Sequence, residues 1–192
     1  MYLIVGLGNP GKRYENTRHN VGFDTIDLLA DYFNVKLDKV KFRGSYAEIR
    51  FNNEKIILLK PETYMNLSGE SVQQFVDYYG VDLDKLIVIV DDIDIKFGTV
   101  RIRKNGTAGT HNGMKSIISR LGGEGEFPRI KIAINQKPDY MNLADYVLSK
   151  FTDKERIIVD KEIENAKEAV LCIIEQGIDI AMNKINPLDE LA

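Results

Sequence analysis

The chain has 192 residues, 44% of them hydrophobic and 29% charged, with a formal net charge of −3. This suits one domain over residues 1–192 with a full-sized core, and it excludes a globally basic nucleic-acid binder. The single cysteine, Cys172, excludes an intrachain disulfide, and the longest clean apolar run, Leu86 to Val90, is far too short to span a membrane.

Residues 2–7 read as a buried strand, and Val21, Ile26, Leu28, Leu29 and Phe33 mark a helix beginning near Asn20. SYAEIRF and KIILLK flank Asn52-Asn53, a dipeptide tolerant of positive φ, and form a hairpin. NLSGESVQQFVDYYG reads as a helix ending at Gly80, and Leu86–Val90 as a second apolar strand running into the acidic cluster DDID. GTVRIRK is a further strand, exposed on at least one side; HNGMKSIISRLG is a helix closed by Gly122-Gly123; RIKIAI is another strand. From Thr152 the tail is helical: Thr152 and Glu155 make a capping box, and Val159, Ile163, Ala166, Val170, Ile173, Gly177 and Ala181 fall on one stripe that Gly177 can break. Cys172, within AVLCII, reads as a small core residue. Intermingled strands and helices with one hairpin argue for an α/β domain with a mixed sheet. Nothing near the start resembles a signal peptide, so a cytoplasmic location is expected.

Gly6-Leu7-Gly8-Asn9-Pro10-Gly11 has the G-x-G-x-x-G spacing of a dinucleotide loop. That fingerprint needs a helix starting at its last glycine and a later ribose-binding carboxylate. Here KRYENTRHN follows with no apolar periodicity until Val21, and the next segment is a hairpin. The glycines read instead as a tight turn, which leaves Asn9 and the polar loop to His19 at the carboxyl end of a buried strand, where α/β sheets bind ligands.

The only two histidines, His19 and His111, each precede an asparagine near a helix start. A helix amino terminus favours neutral imidazole, the form a general base needs; alternatively, Asn20 and Asn112 are simply caps. Asn9 with His19, Asn66, Asp91, and His111 with Asn112 thus lie on four loops that converge on one cleft. No G-x-S-x-G elbow exists, so the chemistry left is a water nucleophile, a histidine base, an aspartate to orient it, and amides facing an oxyanion. A metal held by Asp91, Asp92, Asp94 and the histidines is a competing reading, although no H-x-x-x-H or H-x-E spacing occurs. Charge is also uneven. Residues 96–131 carry eight basic side chains against two acidic ones, whereas 139–192 carry six against twelve. The basic stretch, with its glycine-rich loop KNGTAGTHNG, reads either as a solvated face or as a seat for a polyanion.

GLGNPGKRYENTRHNVG, KPETYMNLSGESV, VDDIDIKFG and GTHNGMKSI closely resemble the bacterial-type peptidyl-tRNA hydrolases, in order and over the whole chain. The resemblance implies a monomeric, single-domain three-layer α/β/α sandwich with a mixed central sheet and no cofactor, and the hydrolysis is expected to be metal-independent, a metal-dependent hydrolase being one alternative. It implies cleavage of the ester between a peptide and the 3′-terminal ribose of tRNA. By position, His19 matches the catalytic base and Asp91 the carboxylate that orients it. Asn9, Asn66 and Asn112 match substrate-holding amides, Tyr14 and Tyr64 match positions at the tRNA 3′ end, and Arg103 and Lys131 match a clamp on tRNA phosphate. His111 matches a supporting histidine. Thr110, Ala133 and Asn135 stand where glycine is common, Lys131 replaces arginine, and Lys96 replaces proline. A non-catalytic RNA-binding module is the alternative class; it would rely on stacking aromatics rather than on clustered amides.

Overall fold

The computed structural model describes residues 1–123 and 125–187; Glu124 of the basic stretch and residues 188–192 of the expected domain lie outside them. Among the described residues, seven strands form one mixed sheet: β1 (Tyr2–Gly6), β2 (Lys39–Lys41), β3 (Gly44–Phe51), β4 (Glu54–Pro61), β5 (Leu86–Asp92), β6 (Val100–Arg103) and β7 (Arg129–Ala133), in the order β2-β3-β4-β1-β5-β7-β6. The central β4, β1, β5 and β7 are mutually parallel, and antiparallel pairs complete both sides. Parallel central strands are covered on both faces, which is why β1 and β5 read as unbroken apolar runs. Tyr2, Ile4, Ile87 and Ile89 pack on one side with α1 (Val21–Tyr32), α5 (Asp153–Gln176) and α6 (Ile178–Ile185). Leu3, Val5, Val88 and Val90 pack on the other with α2 (Ser68–Tyr79) and α3 (Asn112–Arg120). This is the expected three-layer α/β/α sandwich, and no helix among the described residues is long and apolar enough to cross a membrane.

Asn52 and Asn53 both have positive φ, as the hairpin requires. The Thr152–Glu155 capping box opens α5, and Gly177, at φ 91°, separates it from α6. The charged edge strand β2 and the five-residue helix α4 (Leu143–Val147) are among the elements that the sequence reading does not contain. Cys172 is only partly buried, at the margin of the core.

The opening glycines meet a helix after all, though not one that begins at Gly11. A Cβ on Gly6 would lie 2.1 Å from the Gly22 carbonyl oxygen, one on Gly8 would strike the Phe23 ring, and one on Gly22 would lie 2.5 Å from the Leu7 nitrogen. These glycines therefore let the first turn of α1 press against the end of β1. The intervening residues 9–20 are forced out as a loop, held at its ends by that contact. Because β4, β1, β5 and β7 run the same way, the loops after Pro61, Gly6, Asp92 and Ala133 all emerge at one sheet edge.

Candidate active site

At that edge Asp91 is buried and bridges both histidines. Its Oδ2 lies 2.8 Å from His19 Nδ1 and its Oδ1 2.8 Å from His111 Nε2; the two rings lie 4.9 Å apart. The surroundings decide the tautomers. His111 is the N-cap of α3, and its Nδ1 accepts the Met114 N–H at 3.3 Å. His111 is therefore protonated on Nε2, which donates to Asp91. His19 likewise donates from Nδ1, leaving its Nε2 lone pair for the cavity it lines. The expected cap at Asn112 is thus formed by His111, and Asn112 is exposed beside it.

Electrostatics correct a second expectation. A helix amino terminus alone would lower the pKa of His19. Burial does pull it down, but the charge and hydrogen bond of Asp91 outweigh burial and leave it raised above 6.5. Burial pushes Asp91 up in turn, and the two imidazoles hold it well below the carboxylate range.

Asn20 makes no cap hydrogen bond either; its side chain grips the backbone of Asn9, with Oδ1 accepting from Asn9 N at 2.8 Å and Nδ2 donating to Asn9 O at 2.9 Å. Buried Asn9 accepts the Met65 N–H on Oδ1 at 2.7 Å, so its amide orientation is fixed and Nδ2 remains to donate. This bond ties the loop after β1 to the turn that carries Asn66, whose side chain is exposed. Gly113 closes the third side: a Cβ there would lie 2.6 Å from Met65 Sδ and 3.1 Å from His111 Cε1. Tyr14 and Tyr64 meet edge to face, their centroids 6.2 Å apart, and Tyr64 presents its exposed ring from a backbone at φ 64°, ψ 156°. That conformation costs a non-glycine residue about 1–3 kcal/mol and occurs mostly at functional sites.

A cavity of about 470 Å³ is lined by His19, Asp91, His111, Asn112, Lys131 and Val147 among others; Asn9, Asn66, Tyr14 and Tyr64 lie outside its lining. Lys131 pairs with Asp92 at 3.4 Å, so the basic position belongs to the cavity that holds the histidines and is not a separate patch. Arg101 and Arg103 sit opposite Lys131 and Arg129 in the β6–β7 ladder and share their face. Two of the eight basic residues of this stretch are withdrawn from the surface, and β6, expected to be exposed on at least one side, is buried from Val100 to Ile102. Arg101 is buried, and so is Arg129, which donates to the carbonyls of Gly106, Thr107, Gly125 and Phe127 and shapes the glycine-rich loop. Thr110 has no positive φ, whereas Asn135, at φ 75°, occupies a left-handed position that asparagine tolerates.

His19, Asp91 and His111 also offer ligand atoms within 4.8 Å of one another, a set that could hold a metal ion. Asp92 and Asp94 do not join it; Asp92 Oδ1 accepts the backbone N–H groups of Asp94 and Ile95.

A family model described as peptidyl-tRNA hydrolase matches residues 3–191. A curated peptidyl-tRNA hydrolase of Clostridium botulinum is 50% identical over 186 residues, 97% of each chain. One from Alkaliphilus metalliredigens is 51% identical, covering 97% of this chain and all of the relative. Among solved structures, peptidyl-tRNA hydrolase from Acinetobacter baumannii superposes with a TM-score of 0.91 at 34% identity, over 97% of this chain and 94% of that one.

Proposed function

This chain belongs to the peptidyl-tRNA hydrolase family, and on that premise we propose that it cleaves the peptidyl-tRNA ester with a water activated by His19, without a metal ion. The observation that carries the reading is the 2.8 Å contact between His19 Nδ1 and Asp91. It reserves Nε2 as the proton acceptor. As the water oxygen attacks the ester carbonyl carbon, Nε2 takes a water proton and Asp91 steadies the imidazolium. Collapse of the tetrahedral intermediate breaks the bond to the ribose oxygen, which takes the proton back from His19. Asn66, Asn112 and the free Nδ2 of Asn9 are the neutral donors for substrate and oxyanion, each such donor being worth about 10²–10³ in turnover. Tyr14 and Tyr64 receive the 3′ end, and Arg103 and Lys131 hold phosphate as point or forked charges. The protein acts as a cytoplasmic monomer of one domain, recycling tRNA from stalled translation.

The His19, Asp91 and His111 set favours one rival, a metal-dependent hydrolase. Release of tRNA from N-acetyl-aminoacyl-tRNA, compared with free aminoacyl-tRNA and repeated with a strong chelator, decides between them. The proposal expects cleavage of the blocked substrate, little of the free one, and no loss with chelator. Chelator-sensitive cleavage would establish the rival, and tRNA binding without cleavage at any pH would establish a binding module.

A further inference from the structure

His19 stands on a single 3-10 turn, Arg18–Asn20, closed by the bond from Asn20 N–H to the Thr17 carbonyl at 3.1 Å and without a side-chain cap. Asp91, by contrast, stands on a central strand. The 2.8 Å contact between them depends on how the turn is referenced to the sheet: Asn20 ties its end to Asn9, and Arg18, whose N–H also meets the Ser149 carbonyl at 3.0 Å, ties its start.

Arg18, the residue before His19, is buried, and all five of its guanidinium donors are used. Nε donates to Ser149 Oγ at 3.0 Å, and Nη1 to the Ile134 carbonyl at 2.9 Å and Glu155 Oε2 at 2.8 Å. Nη2 donates to Glu155 Oε1 at 2.9 Å and reaches the Lys150 carbonyl at 3.5 Å. Its carbon lies 4.4 Å from the Tyr146 ring centre and 4.8 Å from that of Phe151. Glu155 is equally committed: Oε1 also accepts the Thr152 N–H that opens α5, and Oε2 the Asn135 side chain. Ile134 in turn donates its N–H to the Asp92 carbonyl, next to Asp91. The guanidinium therefore holds the His19 turn to the same strand pair that holds Asp91.

We propose that the pair formed by buried Arg18 and partly buried Glu155 is a positioning device for His19, setting the turn so that Nδ1 meets Asp91 and Nε2 faces the substrate. A surface pair could not do this. Glu155 ties α5, the 149–152 segment and the end of β7 into one support, and bidentate geometry fixes the angle of the guanidinium as well as its distance. The proposal rests on His19 as the base, and it names residues that touch no substrate.

The test compares Glu155→Gln and Arg18→Lys with Arg156→Gln, which cuts a tie from the same helix to Asp24 of α1 and serves as the control for simple destabilisation. Each is followed by thermal melting, by kcat and KM on N-acetyl-aminoacyl-tRNA, and by NMR titration of the His19 ring. Expected are lower Tm in all three, and a kcat about tenfold or more below wild type in Glu155→Gln and Arg18→Lys with KM within about twofold. In those two variants the His19 titration should also move to lower pH as Asp91 loses contact and burial acts alone. Arg156→Gln should keep both kcat and the titration. If folded Glu155→Gln keeps wild-type kcat and an unmoved His19 titration, the pair is only structural and the proposal falls; should Arg18→Lys not fold, Glu155→Gln decides. A moved titration in a protein whose wild type cleaves nothing would uphold the positioning while refuting the hydrolytic reading.

Discussion

Asp91→Asn is the substitution whose outcome the site geometry dictates most sharply. Asp91 now accepts two imidazole N–H groups, His19 on one oxygen and His111 on the other. An amide keeps one acceptor and presents two donors, so one imidazole must invert its tautomer. His111 cannot do so cheaply: its Nδ1 accepts the Met114 N–H, and a proton there would set donor against donor. The asparagine oxygen therefore stays with His111 and the NH₂ turns to His19, forcing the proton from Nδ1 to Nε2 and removing the lone pair that activates water. Making the orienting carboxylate of a Ser-His-Asp triad an amide costs about 10⁴ in turnover by the same inversion, and a loss of about 10³–10⁴ is expected here. Asp91→Ala leaves the tautomer free and should lose less turnover, while two unsatisfied donors cost it more stability, about 1–3 kcal/mol each. Single-turnover cleavage of N-acetyl-aminoacyl-tRNA, with ¹⁵N spectra of the ring nitrogens, measures both. If folded Asp91→Asn keeps turnover within tenfold of wild type, or loses less than Asp91→Ala, the tautomer argument is wrong.

Three further expectations follow from the same structure. The rate should rise with pH through the raised pKa of His19, because the protonated ring cannot act as base; an acid limb at or below pH 6.5 would contradict the dominance of Asp91 over burial. Glu162 is buried, accepts the Gly98 N–H at 2.6 Å, and is pushed by burial to about 8 from 4.5. The folded protein thus holds a proton that the unfolded chain releases, so stability falls between about pH 4.5 and 8, by about 1.4 kcal/mol per pH step at most. Glu162→Gln should flatten that fall and raise Tm at pH 8, as read by melting at several pH values. Arg103→Ala and Lys131→Ala should each weaken tRNA binding and reduce its salt slope by about one, and an unchanged slope would remove the phosphate assignment.

Most of the fold was legible because its signals are local. Apolar runs marked β1 and β5, Asn52-Asn53 marked the hairpin, and Thr152 with Glu155 marked the start of α5. Edge strand β2 escaped because its turn is made by Phe42 and Arg43, both at positive φ without glycine or asparagine, and because its residues are charged. Helix α4 is too short to show a period. In the site, residue types and order singled out His19, Asp91 and the amides as candidates, but not how they are held. That Asn20 would grip Asn9 and that Arg129 would turn inward onto the Gly106 and Thr107 carbonyls depend on partners distant in sequence, whereas His111 caps α3 from only three residues away but is not one of the usual cap residue types. Arg18 carried one faint signal, a basic residue directly before a candidate base, and only its buried contacts gave it meaning.

The central claim is that His19 deprotonates the attacking water, and single-turnover release of tRNA by His19→Ala tests it most directly, with binding of N-acetyl-aminoacyl-tRNA measured on the same preparation. The account predicts a loss of about 10²–10⁴ in rate, the scale of general-base catalysis, with binding retained. Near-normal release by the variant would contradict it.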